Sequence, residues 1–138
     1  MKTPYNGCWP TMITPFTADN KVDFPAVKAL ANWYIDRGAD GIFAVCQSSE
    51  MFFLSPQEKL DIAKAVVEAA EGRVKVIASG HTSDDHKQQI DELGAMAQTG
   101  VDAVVLVSNR LAKADEDSSV FNANAQDIFE QLPDVTFG

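Results

Sequence analysis

Cysteine is scarce in this 138-residue chain, which has only Cys8 and Cys46, and histidine is equally so, with only His81 and His86. Two cysteines make no disulfide framework, and two histidines five positions apart around an expected helix start show no zinc-type spacing. No metal centre is expected, and both cysteines read as small buried hydrophobes. Positive charge is also short, with 11 Lys and Arg against 20 Asp and Glu and a formal net charge of -9. That balance gives no electrostatic footprint for nucleic acid or an anionic lipid surface. No run approaches the roughly 20 apolar residues of a membrane span, and the opening Met1-Lys2-Thr3-Pro4-Tyr5 carries no apolar signal core. A cytoplasmic protein with no membrane partner is the expectation. A Gly-rich phosphate turn is missing too: Thr14-Pro15-Phe16-Thr17 stands where a doubly wound nucleotide binder would carry one.

What is present is the composition of a globular domain, 46% apolar and 22% charged, long enough to bury one core,. An internal echo runs through it. Arg37-Gly38-Ala39-Asp40-Gly41-Ile42-Phe43-Ala44-Val45 and Thr99-Gly100-Val101-Asp102-Ala103-Val104-Val105-Leu106-Val107 share the pattern Gly, small apolar, Asp, small residue, apolar run. Gly72 precedes a third such run between them. Each Gly suits the left-handed residue that ends a helix, and each run reads as a strand covered on both faces. Strands are expected near Trp9 to Thr14, Gly41 to Val45, Val74 to Ser79, Asp102 to Val107 and, incompletely, Val135 to Gly138.

Helical signals fill the intervals. Ser55-Pro56-Gln57-Glu58 is a capping box with Pro at the first helical position, followed by Leu60, Ala63, Val66, Val67 and Ala70 at three-and-four spacing. Asp23 caps a helix with Val27, Leu30, Ala31 and Tyr34 on one stripe. Thr82 or Ser83 starts a third helix, and Ser118 or Ser119 a fourth. Acidic clusters at Asp84-Asp85 and Asp115-Glu116-Asp117 suit helix starts through the dipole, with no metal required. Strict β-α alternation implies a parallel sheet with right-handed crossovers. It fits a doubly wound sheet, held back by the missing phosphate turn, or a (β/α)8 barrel, which needs roughly 250 residues. In the barrel reading the chain holds about half a barrel, about four βα units plus the start of a fifth strand, with residues 1–138 forming one incomplete domain. Ile42, Ala44, Val76, Ala78, Val104 or Val105, and Leu106 are the expected inner-face residues, left without an opposite wall.

In either architecture ligands lie at the carboxyl ends of the strands. The segments there are Thr14-Pro15-Phe16, Cys46-Gln47-Ser48-Ser49-Glu50, Ser79-Gly80-His81-Thr82-Ser83 and Ser108-Asn109-Arg110. Two adjacent serines at a strand end are a donor cluster suited to a small carboxylate, or they satisfy the turn's own backbone. His81 reaches substrate or bonds to nearby backbone. Arg110 is a carboxylate or phosphate handle, or a solvated loop charge.

Trp9-Pro10-Thr11-Met12-Ile13-Thr14-Pro15-Phe16, the Asp23 helix, Arg37 to Ile42, Ser48-Ser49-Glu50 with Leu54-Ser55-Pro56-Gln57-Glu58-Lys59, and Ser79-Gly80-His81-Thr82 together resemble the N-terminal half of the dihydrodipicolinate synthase / N-acetylneuraminate lyase family. The resemblance implies a (β/α)8 barrel, usually a homotetramer. It also implies a class I aldolase or lyase in which a lysine on the sixth strand forms a Schiff base with pyruvate or another 2-oxo acid, with no metal or cofactor. The family's carboxylate-binding Gly-Thr/Ser-Thr-Gly-Glu turn corresponds here to Cys46-Gln47-Ser48-Ser49-Glu50. Ser48 keeps the second hydroxyl, Gln47 replaces the first, and Cys46 and Ser49 replace glycines; Glu50 braces the turn. The candidate substrate-binding residues are Ser48, Ser49, Gln47 and Arg110. The family's Pro-Tyr-Tyr motif, whose second tyrosine relays protons, is replaced by Ser108-Asn109-Arg110. The Schiff-base lysine is expected beyond Gly138: Lys75 sits at the wrong end of its strand, and Lys21, Lys28, Lys59, Lys64 and Lys87 fall on helices or outer loops. The other readings are a non-catalytic binding or scaffold relative of the same fold and, less favoured, the doubly wound nucleotide binder.

Overall fold

The computed structural model describes residues 5–138, so Met1 to Pro4, read for a signal core, lie outside the described residues. The chain is an α/β structure built on a parallel sheet. Its regular elements are α1 (Phe24–Asp36), β1 (Gly41–Phe43), α2 (Pro56–Ala70), β2 (Lys75–Ala78), α3 (His86–Ala97), β3 (Ala103–Val104) and α4 (Ser118–Gln131). The strands pair in the order β1-β2-β3, all parallel. On the β1 side the Trp9 to Thr14 segment joins through a parallel bridge from Thr11 to Phe43, and on the β3 side Phe137 bridges Val104. Backbone bonds widen both attachments: Met12 N–H donates to Phe43 O, and Leu106 N–H to Gly138 O. Five parallel rows therefore follow one another in chain order. That progression has no reversal, whereas a doubly wound sheet reverses at its switch point.

The helices start where short polar side chains can accept orphan N–H groups. The Asp23 carboxylate accepts from Ala26 N, and Ser55 and Glu58 cap each other's backbone reciprocally,. α3 departs from expectation. It begins at His86 with Asp85 as its cap, not at Thr82 or Ser83, because the Asp85 carboxylate accepts from Gln88 N while Thr82 and Ser83 give their own N–H groups to Glu92. Gly38 and Gly100 follow α1 and α3 with φ of 87° and 95°, a conformation a side chain would strain,.

The echo between residues 37–45 and 99–107 has a physical cause at the amino ends of the strands. Asp40 N–H donates to Cys8 O while its carboxylate takes Cys8 N–H at 2.7 Å. Asp102 repeats this on Val76, receiving its N–H at 2.8 Å. Each Asp thus satisfies an N–H and a C=O at one residue of the neighbouring chain segment. The reading of both cysteines as buried is corrected for Cys8, which is exposed at this end; Cys46 is buried.

One face of the sheet carries the helices, which pack in series, α1 on α2, α2 on α3 and α3 on α4. Ile42, Ala44, Val76, Ala78 and Val104 lie under them, at most 2% exposed, with Val27, Ile62, Val66 and Leu93. The opposite row of Phe43, Ile77 and Val105 is only half-buried and stands outside the core cluster. The inner-face assignment of Ile42, Ala44, Val76, Ala78 and Val104 is therefore reversed, and of the residues named for it only Val105 lies in that row. These strands are apolar on both faces, so the sequence has no alternation to fix which parity faces the helices. Among the described residues no helix is long and apolar enough to cross a membrane.

Candidate functional site

The turn after β1 is fastened from below by Ser49. Cys46 is extended, at φ -151° and ψ -173°, residues Gln47–Ser49 form a 3-10 turn, and Glu50 is left-handed at φ 60°. Neither Cys46 nor Ser49 has a positive φ, so neither position requires glycine. The Ser49 side chain has no solvent exposure. Its hydroxyl donates to Met12 O at 2.5 Å and accepts from Cys46 N–H at 3.0 Å, while Thr14 Oγ1 donates to Ser49 O at 2.7 Å. Bracing thus comes from Ser49 and Thr14, and Glu50 contributes its backbone, with an exposed side chain.

Above this staple Gln47 and Ser48 are exposed and border a cavity of about 330 Å³. Thr11, Phe43, Cys46, Ser79, Val107 and Asn109 are among its lining residues. It lies at the carboxyl ends of the strands, on the face the helices leave free. Ser79 ties two rows together there, its Oγ donating to Val105 O at 2.7 Å. Strand parity leads to Thr11, Phe43 and Ser79 as cavity residues, but only once the phase of the sheet is known. No group of three or more His, Cys, Asp or Glu suited to a metal ion occurs among the described residues.

The segment Val107 to Arg110 closes one side and is held from beneath by His81. His81 is 1% exposed and accepts Val107 N–H at Nε2, 2.6 Å away. A backbone N–H can only donate, so Nε2 carries no proton and Nδ1 does, facing Gln89 Oε1 at 3.3 Å,. Burial pushes the His81 pKa below its ordinary value; the Gln89 bond and Glu92 oppose this, and the Arg110 and Lys59 charges add to it. Of the two readings of His81, the structure supports the backbone-bonded one.

Arg110 does not join the cavity. Its guanidinium pairs with the Asp84 carboxylate and lies 4.8 Å from the centre of the Phe52 ring, beside a separate polar cavity that includes His86. The structure thus brings Gln47 and Ser48 to one cavity, sets Ser49 under it and places Arg110 outside. Lys59, read as a residue of a helix or outer loop, is on α2 but 2% exposed, its Nζ donating to Thr82 Oγ1 at 2.7 Å. Desolvation lowers its pKa, with Glu92 opposing.

Chain-ordered parallel strands with a polar-rimmed cavity at their carboxyl ends are the arrangement of barrel-type α/β proteins, which bind ligands at that end. The dihydrodipicolinate synthetase family model matches residues 4–118, and the chain belongs to that family. It is 34% identical over 107 residues to a 4-hydroxy-tetrahydrodipicolinate synthase of Polynucleobacter asymbioticus, a match covering 77% of this chain and 34% of that protein. A dihydrodipicolinate synthase structure from Bacillus anthracis is 29% identical, with a TM-score of 0.79 over 92% of this chain and 43% of that one. At 24% identity, the Acinetobacter baumannii synthase complexed with pyruvate shares the fold, with a TM-score of 0.86 over 95% of this chain and 44% of that one. The chain spans about a third of the length of the curated relatives it matches.

Proposed function

We propose that residues 1–138 are the first half of a (β/α)8 barrel and carry the 2-oxo acid carboxylate site of a Schiff-base lyase. The observation that carries this reading is the Cys46 to Glu50 turn. It occupies the place of the family's carboxylate turn and presents Ser48 and Gln47 at the mouth of a cavity of about 330 Å³. In this reading the Ser48 hydroxyl and the Gln47 side-chain amide donate to the carboxylate, and Ser49 holds the turn against Met12. Arg110 acts only through the wall it belongs to. The Schiff-base lysine comes from outside residues 1–138. Two placements support this: Lys75 is paired with Asp102 at the amino ends of the strands, and Lys59 is bonded to Thr82 on the helical side. Once that lysine and the 2-oxo acid condense with loss of water, the imine withdraws electrons from the adjacent C–C bond. The family's relay tyrosine has no counterpart in Ser108-Asn109-Arg110, so proton transfer runs through another group. Pyruvate, bound by the Acinetobacter relative, is the first substrate to test. The assembly is a homo-oligomer, as the family suggests, and its location is cytoplasmic.

Calorimetric titration of the protein as its host makes it tests this. Ser48→Ala is expected to weaken pyruvate binding about ten- to a hundredfold, the equivalent of one charge-assisted hydrogen bond, and Glu50→Gln by less. Equal affinities for Ser48→Ala and wild type refute the assignment.

A further inference from the structure

Two buried polar side chains outside the carboxylate turn grip both ends of a short stretch of cavity wall. The first is His81, whose ring nitrogen Nε2 takes Val107 N–H at 2.6 Å. The second is Gln89 of α3, 2% exposed, whose Oε1 faces His81 Nδ1 and whose Nε2 donates to Arg110 O at 3.0 Å. Between these anchors lie Ser108 and Asn109, which with Val107 line the candidate cavity. The chain of bonds has a fixed direction: Val107 N–H to His81, His81 to Gln89, Gln89 to the Arg110 carbonyl. Every group in it has its one suitable partner, and only the neutral ring protonated at Nδ1 can sit in the middle.

We propose that His81 is a positioning residue for the candidate site: with Gln89 it clasps the Val107 to Arg110 wall, and proton uptake at Nε2 opens the clasp and weakens 2-oxo acid binding. The last clause rests on the function proposed above; the clasp itself does not. A proton on Nε2 sets two N–H groups against each other at the Val107 contact. The bond is then replaced by repulsion, and the buried ring becomes a cation. The charged groups around the ring are Glu92 from α3, which favours the cation, and Lys59 from α2 and Arg110 from the wall, which oppose it. Arg110 moves with the wall, so opening removes one of the opposing charges and draws the proton in further. Burial holds the closed form neutral, so the clasp is shut near neutral pH. It opens as pH falls below the ordinary histidine range toward the lowered value of the buried ring,.

Hydrogen–deuterium exchange of the natural protein without ligand tests the clasp at about pH 7.5 and about pH 5.5, with rates corrected for intrinsic chemistry. Peptides covering residues 105–112 are expected to exchange about tenfold faster at the lower pH in wild type. In His81→Gln, whose side-chain carbonyl can still accept but does not titrate, the two rates are expected to agree. Gln89→Leu is expected to raise exchange at both values. Protection of this segment that is independent of pH in wild type, undiminished by Gln89→Leu, or still pH-dependent in His81→Gln overturns the proposal. Pyruvate titrations at the same two pH values then test the link to the site: affinity should fall at the lower pH in wild type and stay level in His81→Gln. Pyruvate binding with the same pH dependence in both breaks that link and leaves the carboxylate site intact. Pyruvate binding by neither form overturns the carboxylate site and the link together, while the exchange result still decides the clasp.

Discussion

Ser48 and Ser49 are neighbours in sequence, and replacing them should have opposite consequences. Ser49→Ala removes a hydroxyl with no solvent exposure that gives its proton to Met12 O and takes Cys46 N–H. Alanine fills most of the space but leaves those two backbone groups without this partner. A buried donor or acceptor left unsatisfied costs about 1–3 kcal/mol. For the two groups together the cost is about 2–6 kcal/mol. Ser48→Ala exposes nothing and should stay within about 0.5 kcal/mol of wild type, as surface changes usually do. Urea unfolding of both variants and wild type, followed by circular dichroism, reads the difference as a shift in midpoint at constant slope. Ser49→Ala within about 0.5 kcal/mol of wild type refutes the staple. Equal destabilisation by the two variants refutes the division of labour between a serine that binds and a serine that holds.

Ser55→Ala should cost about 1 kcal/mol in the same assay, because Glu58 N–H loses its acceptor and the reciprocal bond from Ser55 N–H to the Glu58 carboxylate is weakened,; no shift in midpoint contradicts the capping box. Residues 1–138 expressed alone should self-associate, since Ile13, 59% exposed, and the half-buried Phe43, Ile77 and Val105 form an apolar sheet face without a cover,. Size-exclusion chromatography with light scattering checks this, and a monodisperse 15.0 kDa monomer that unfolds cooperatively contradicts it.

Helices were legible because their starts are local. The Asp23 cap and the Ser55 capping box sit within four residues of the groups they satisfy, and the stripes that follow meet the core at Val27, Ala31, Ala63 and Val66. The start of α3 was not legible, because Thr82, Ser83 and Asp85 are all cap-type residues and the choice falls to Glu92, nine or ten positions away. Strand existence could be read from the apolar runs, strand phase could not, and with the phase went Thr11 and Phe43 of the cavity. Ser49 and Ser48 look alike in sequence; burial separates them, and the contact that does so spans 37 residues to Met12. Arg110 shows the same limit, since Asp84 and Phe52 hold it from 26 and 58 residues away. Lys59 falls on a helix, as its place in the sequence implies, but its burial was not legible, because the partner of its amine, Thr82, lies 23 residues away on the next unit,.

The central claim, a 2-oxo acid site belonging to a Schiff-base lyase, is tested most directly by borohydride reduction of the natural protein with pyruvate and a panel of related 2-oxo acids, followed by intact-mass and peptide-level mass spectrometry. A trapped adduct is expected on one lysine outside residues 1–138, diminished in Ser48→Ala. An adduct on Lys59 or Lys75, or no adduct with any acid of the panel, contradicts it.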